Sequence, residues 1–379
     1  MRILIINGPN LDRLGVRDPD TYGAATLDDL AVEWRERAEL QGSSTGSFQS
    51  NHEGVIVDAI GEASEKYDGL IINAGALTHY SYSVRDAVEA CGLPVVEVHI
   101  SNIHEREEWR HFSVLTDVCV LTIVGRGTDG YLNAIDHLVA TSTSPPITAR
   151  YGERPDAVLD LRIPSGDGPH RVAFLIHGGF WRDVWTRDLM DPVAVALRDA
   201  QWATINVEYT RGPGSYGSAL HDVSSALSWV VDNADAHNLD TTRIVAIGHS
   251  AGGYLALKLA HEESAIAAAL PLAAVSDLAA MSETRPDDDP VAAFLGSQRT
   301  EAPRLWEQAE LSGQPNVPVH LVHGMDDDSV TPTQSESYVQ LRGDTTPITI
   351  IGGCDHMGII DPLANSWPTV LAALESISS

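Results

Sequence analysis

TSTSPPITAR, residues Thr141–Arg150, has no apolar period, holds two adjacent prolines, and fills most of its other positions with Ser and Thr. A stretch of this kind buries too little apolar surface to pack, and Pro145–Pro146 holds it extended, so it reads as a linker spanning 141–154. On each side lies a run that reads as a complete α/β unit, 1–140 before it and 155–379 after it. At 379 residues the chain is long enough for two or three domains of roughly 150 residues each, with real cores. A formal net charge of −29 argues against nucleic acid or an anionic membrane surface as partner and is otherwise a solubility feature. Three scattered cysteines, Cys91, Cys119 and Cys354, with no CxxC, fit a reducing compartment and suggest neither a disulfide framework nor a zinc site. No stretch is long enough to span a bilayer. MRILIINGPN at the N-terminus reads as a first buried strand rather than a secretory signal, which leaves the cytoplasm as the expected location.

Upstream of the linker, strand and helix patterns alternate. Ile3–Ile6, Gly69–Asn73, Val95–His99 and Val118–Val124 are short apolar, β-branched runs, while Ala31–Leu40 and Val55–Ala63 carry helical spacing. This predicts a flavodoxin-like, doubly wound parallel sheet, in which ligands gather at the carboxyl ends of the strands. Those ends carry Asn7–Asn10, Gln49–Asn51, Asn73–His79 and His99–Asn102, all polar and rich in amides or His. A G-x-G-x-x-G at Gly125–Gly130 is set aside as a dinucleotide site. The acidic residue expected about 20 positions later falls in the Pro-containing stretch, so a tight turn and close helix packing explain the glycines better.

The segments NGPNLDRLGVRDPDTYG (Asn7–Gly23), QSNHEG (Gln49–Gly54), INAGALTHYSYSVRD (Ile72–Asp86) and EVHISNIHEREEWRHFS (Glu97–Ser113), with a weaker GYLNAI (Gly130–Ile135), resemble the type II 3-dehydroquinate dehydratases in family order. The resemblance implies loss of water from 3-dehydroquinate, which needs a base for a proton α to a ketone and a stabiliser for the enolate. By the family pattern Tyr22 is the base, its phenol made acidic by Arg17 and Arg110. His99 protonates the leaving hydroxyl, and Asn10 orients that group and a water. Asn73, His79 and Arg110 hold substrate hydroxyls, and the N–H groups of Ile100 and Ser101 hold its carboxylate. Asp86 is expected to reach a neighbouring subunit's site in a trimer-based homo-oligomer, usually a dodecamer. Taken singly, a strand-end His or a turn Asn is ordinary; the joint match gives these residues their meaning. Asp12 stands where Asn is more usual, and Tyr80 and Tyr82 where smaller residues are.

Downstream, Val158–Ile163, Val172–Ile176 and Trp202–Val207 read as strands and Ala219–Val231 as an amphipathic helix. Arg243–Ile247 then runs into Gly248-His249-Ser250-Ala251-Gly252, a G-x-S-x-G between a buried strand and a small-residue helix, the context of a nucleophile elbow. A serine nucleophile requires a His base and an acid that orients it. Both follow in chain order: strand Val319–Val322 ends in HGMDDDSVTP, and strand Ile348–Ile351 precedes Gly353-Cys354-Asp355-His356. Ser250 is expected as nucleophile, His356 as base and Asp327 as acid, with Asp326 and Asp328 as alternatives for the acid. The N–H of Ala251 and those of Gly179–Phe180 are expected to form the oxyanion hole, while His177 and His249 read as structural.

HGGFW (His177–Trp181), GHSAGG and DHMGIIDP resemble the arylformamidase and carboxylesterase branch of the α/β-hydrolases over about residues 155–375. Ser276–Gly313, with Phe294 and Trp306, is expected as a small helical cap shaping the substrate pocket. Asp287–Asp289 reads as a solvated loop. The whole is expected to be a bifunctional enzyme acting on small molecules, with no metal or organic cofactor. Its hydrolase substrate is left between an aryl formamide such as N-formylkynurenine and an ester, including one of quinate or shikimate. The competing reading makes one half a non-catalytic scaffold.

Overall fold

The computed structural model describes residues 1–16, 24–262, 265–342 and 346–378, in two compact units, Met1–Thr143 and Ser144–Ser379.

In the first unit the described strands β1 (Arg2–Asn7), β2 (Ser44–Gln49), β3 (Gly69–Asn73), β4 (Val95–His99) and β5 (Leu121–Val124) form an all-parallel sheet in the order β2-β1-β3-β4-β5. Period-two alternation explains why both faces are covered. Ile3 and Ile5 of β1 point to the face packed by Trp34, Ala38, Tyr131 and Leu138, whereas Leu4 and Ile6 meet Ile56, Ile60, Val84 and Val88 on the other. Helix Leu27–Leu40 begins at a capping box in which Thr26 and Asp29 satisfy each other's backbone N–H. β2, STGSFQ, is a partly exposed edge strand without the apolar run that marked its neighbours.

In the second unit β6 (Ile147–Arg150), β7 (Val158–Arg162), β8 (His170–Ile176), β9 (Ala203–Val207), β10 (Leu239–His249), β11 (Ala268–Leu272), β12 (Leu321–Gly324) and β13 (Ile348–Ile351) form a sheet in the order β13-β12-β11-β10-β8-β9-β7-β6. Neighbours from β13 to β9 run parallel, β7 is antiparallel to β9, and β6 is antiparallel to β7.

The structure corrects the linker reading of 141–154. Helix Asp129–Thr143 continues through Thr141 and Thr143, whose hydroxyls donate to the carbonyls of His137 and Val139 at 2.7 and 2.8 Å. Four residues later the chain is already in β6, paired from Ile147↔Leu161 to Arg150↔Val158. The reason is positional: a mostly exposed edge strand needs no apolar stripe, and prolines just before it cost no ladder hydrogen bond. Residues 276–313 do contain three short helices, Leu278–Thr284, Pro290–Leu295 and Pro303–Ala309. Phe294 and Trp306, expected to shape a pocket there, are instead buried in the core. Among the described residues no helix is long and apolar enough to cross a membrane, and no cluster of three or more His, Cys, Asp or Glu side chains could hold a metal ion.

Candidate active sites

In the first unit the carboxyl ends of β1, β3 and β4 open into one cavity of about 170 Å³. Asn10, Asn73, His79, His99, Ile100, Ser101 and Arg110 all line it, so seven residues singled out from the sequence meet at one place. Asn10 sits in the left-handed region at φ 67°, a conformation Asn tolerates better than most residues, and its N–H donates to Asn51 Oδ1 at 2.7 Å. Asn73 donates to the buried Tyr131 hydroxyl at 2.8 Å, and that hydroxyl donates to Asn7 Oδ1 at 2.7 Å, which fixes the amide's orientation. His79 Nδ1–H donates to the Phe112 carbonyl at 2.8 Å, and burial holds the ring's pKa below its ordinary value. Arg110 stacks over Trp109 at 4.0 Å and pairs with Glu107 at 2.9 Å.

His99 is held by a residue the sequence reading passed over. Its Nε2 lies 2.9 Å from Oε1 of Glu97, two positions earlier on β4 and fully buried. Burial by itself raises a carboxyl pKa; here the His99 imidazole and surrounding hydroxyls outweigh it and hold Glu97 below the usual carboxylate range. Those hydroxyls belong to Thr78, Ser113 at 2.8 Å, and Thr116 and Thr122 at 3.2 Å each. With Nε2 committed to Glu97, Nδ1 is the His99 nitrogen left for a substrate. Asp86 is exposed and does not line the cavity. Arg17 and Tyr22 lie outside the described residues.

In the second unit β10 ends at His249, and Ser250 turns into helix Ala251–Glu262 with φ 55°, a strained value for serine. The turn requires glycines. A Cβ on Gly252 would stand 2.2 Å from the Ile176 carbonyl oxygen, and one on Gly178 would stand 2.9 Å from Ser250 Cβ. The Ser250 N–H donates to the Leu272 carbonyl at 2.8 Å, while its buried Oγ has no hydrogen-bond partner among the described residues. Of the three successive aspartates, Asp327 is the one that meets His356: its Oδ2 lies 2.6 Å from His356 Nδ1, and its Oδ1 accepts from the N–H groups of Ser329 and Val330 at 3.0 and 2.9 Å. Burial opposes ionisation of Asp327, but these donors, with His323, drive its pKa well below the usual range.

Gly179, Phe180 and Trp181 follow one another at φ 107°, 50° and 56°. Such strain in two non-glycine residues needs external support, on the order of 1–3 kcal/mol each. Trp181 stacks on Phe294 at 4.1 Å and 5°, and its carbonyl accepts from the Gly212 N–H at 2.7 Å. The buried Phe294 therefore holds the expected oxyanion segment in shape from beneath. Ala251 contributes the first N–H of its helix, one of the donors a helix leaves unsatisfied.

The Dehydroquinase class II family matches residues 1–139. The 3-dehydroquinate dehydratase of Bacillus pumilus (strain SAFR-032) is 55% identical over 137 residues, which are 36% of this chain and 93% of that relative. Through these residues the chain belongs to the class II dehydroquinases. The second unit matches the BD-FAE family over residues 159–341. It shares its fold with a truncated carbohydrate esterase from gut microbiota, at TM-score 0.53 and 17% identity over 62% of this chain and 97% of that one. A bacterial heroin esterase gives TM-score 0.50 and 24% identity over 62% and 83%. The second unit has the α/β-hydrolase fold.

For the class II dehydroquinase unit, the clue to Glu97 was its i, i+2 spacing from His99: on a strand, that spacing puts both side chains on one face. A charged residue inside a buried run is costly unless paired, so VVEVH held the information. For the second unit, the missed residue is His323 of β12. It is wholly buried and 3.3 Å from the same Asp327 oxygen that holds His356.

Proposed function

We propose that this chain carries two activities: dehydration of 3-dehydroquinate to 3-dehydroshikimate, and hydrolysis of an ester or aryl formamide by a serine nucleophile. The observation behind the first is the cavity that unites Asn10, Asn73, His79 and Arg110 around the buried Glu97–His99 pair. Tyr22, with Arg17 beside it in sequence, removes the proton α to the ketone. His99 keeps its Nε2–H donated to the Glu97 carboxylate and delivers the Nδ1 proton to the departing hydroxyl, so water leaves and the ring gains its double bond. Asn10 orients the departing group, Asn73, His79 and Arg110 hold substrate hydroxyls, and the N–H groups of Ile100 and Ser101 hold the carboxylate. Asp86, exposed and away from its own cavity, serves a neighbouring subunit in a trimer-based assembly.

The observation behind the second is Ser250 on a strained strand–helix turn, with Asp327 bound to His356 in the same domain. Ser250 Oγ attacks the acyl carbon as His356 Nε2 takes its proton; Asp327 fixes the tautomer that leaves Nε2 free to do so. The N–H groups of Ala251 and of Gly179–Phe180 receive the oxyanion. Its collapse expels the alcohol or amine, which takes the proton from His356. Water then repeats the attack on the acyl-enzyme and returns Ser250. The esterase-like fold supports an ester, and HGGFW with DHMGIIDP supports an aryl formamide.

A hydrolysis panel of formylkynurenine, caffeoylquinate and simple acyl esters tests this, run beside a dehydratase assay on Ser250→Ala and Tyr22→Phe. Each variant is expected to lose one activity and keep the other. Hydrolysis that survives Ser250→Ala overturns the second assignment, and dehydration that survives Tyr22→Phe overturns the role of Tyr22.

A further inference from the structure

Resting on the serine-hydrolase reading above, we infer that His323 is a positioning residue for the catalytic acid, so that Asp327 is held by two imidazoles rather than one. His323 lies on β12, and its ring joins three pieces of chain. Nδ1 is 2.7 Å from Ser335 Oγ on helix Thr333–Arg342, and Nε2 is 2.7 Å from the Val330 carbonyl and 3.3 Å from Asp327 Oδ2.

The chemistry of these partners sets the tautomer. Nε2 faces two groups that only accept, a carbonyl and a carboxylate, so it carries a proton and shares it between them. Ser335 serves Nδ1, because a hydroxyl can donate to a bare ring nitrogen. A ring tied at both nitrogens cannot flip; its Nε2–H donates to the Val330 carbonyl at 2.7 Å, and Asp327 Oδ2 lies beside the same N–H at 3.3 Å.

The consequence falls on the carboxylate. Oδ1 takes the two backbone N–H groups of the turn at Ser329 and Val330, while Oδ2 takes His356 and His323. Donors on both oxygens oppose rotation of the carboxylate about its Cβ–Cγ bond and keep Oδ2 directed at His356 Nδ1. A fully buried side chain that only filled space would do so at less cost as leucine, since an imidazole must be desolvated and every polar atom partnered. His323 does not touch Ser250 or the acyl group in this scheme; it acts through Asp327, as outer residues orient the inner ligands of metal sites.

The test uses the full chain with p-nitrophenyl acetate as substrate and a fluorophosphonate to count competent Ser250 sites, comparing wild type with His323→Leu and His323→Gln. In His323→Leu, kcat per titrated site is expected to fall about 10–100-fold, the range seen when such outer partners are removed, with KM changed less than about twofold. His323→Gln retains an N–H donor and is expected to recover much of the loss, whereas a structural role restores stability without restoring kcat. Wild-type kcat per titrated site in His323→Leu overturns the inference, and so does a His323→Gln variant that folds as stably as wild type yet turns over no faster than His323→Leu. A wild type that is neither labelled nor active overturns the hydrolase reading, and the role of His323 with it.

Discussion

Glu97 and Asp327 hold comparable positions in the two units and are built differently. Each is a buried carboxylate holding the histidine of its site, and each is kept ionised against the cost of burial. Glu97 meets that cost with side chains: hydroxyls from Thr78, Ser113, Thr116 and Thr122 surround it, and His99 is its neighbour but one on the same strand. Asp327 meets it with backbone N–H groups of its own turn and with imidazoles, and its His356 lies 29 residues away on another loop. A short-range pair is positioned by the pleat of one strand. A long-range pair needs the whole sheet, and the nearby glycines and strained turns reflect how closely backbone segments must approach there.

The sharpest way to break the comparison is to remove one site and watch the other. Ser250→Ala is expected to lower hydrolysis by roughly 10⁴-fold or more while dehydration is untouched; a parallel fall in both would mean that the two units do not act separately. Next comes Glu97→Gln, which keeps the shape but turns an acceptor-only group into one that also donates to His99 and the hydroxyls. Dehydration should fall about 10²-fold in kcat with hydrolysis unchanged, and an unaltered kcat would show that His99 is positioned without it.

Gly252→Ala probes the backbone side of the contrast. A Cβ 2.2 Å from the Ile176 carbonyl forces a shift, so the second unit should lose about 1–3 kcal/mol in denaturant unfolding. The same substitution at Gly42, where a Cβ meets nothing within 4 Å, isolates the cost of a positive φ, 65°, in the first unit. The last contrast concerns pH. Burial is the main reason the His249 pKa falls from 6.5 to about 3. The unfolded chain takes up this proton near 6.5 and the folded protein refuses it until about 3. Stability of the second unit therefore drops as pH falls below 6.5 and levels off near 3, with a limiting slope of about 1.4 kcal/mol per pH unit from this group. His249→Asn should flatten melting temperature against pH across that window; an unchanged slope assigns the dependence elsewhere.

What could be read from the sequence follows from how local the physics is. β1, β3 and β4 announce themselves because a strand buried on both faces must be apolar along its length. β2 and β6 do not, because edge strands are exposed and carry ordinary polar residues. TSTSPPITAR looked unstructured for that reason: its first three residues end a helix and its last four pair with β7. The proposed chemistry of each unit was legible in the residues, since G-x-S-x-G, the following Asp and His, and the clustered amides and histidines at strand ends are local patterns with chemical reasons. Tertiary structure decided which of Asp326, Asp327 and Asp328 faces His356, because in a turn of three aspartates only the fold aims one carboxylate. It also placed Glu97 beside His99 and His323 beside Asp327. A buried polar residue is recognisable only once its partners, up to tens of residues away in the chain, have been brought within hydrogen-bond reach.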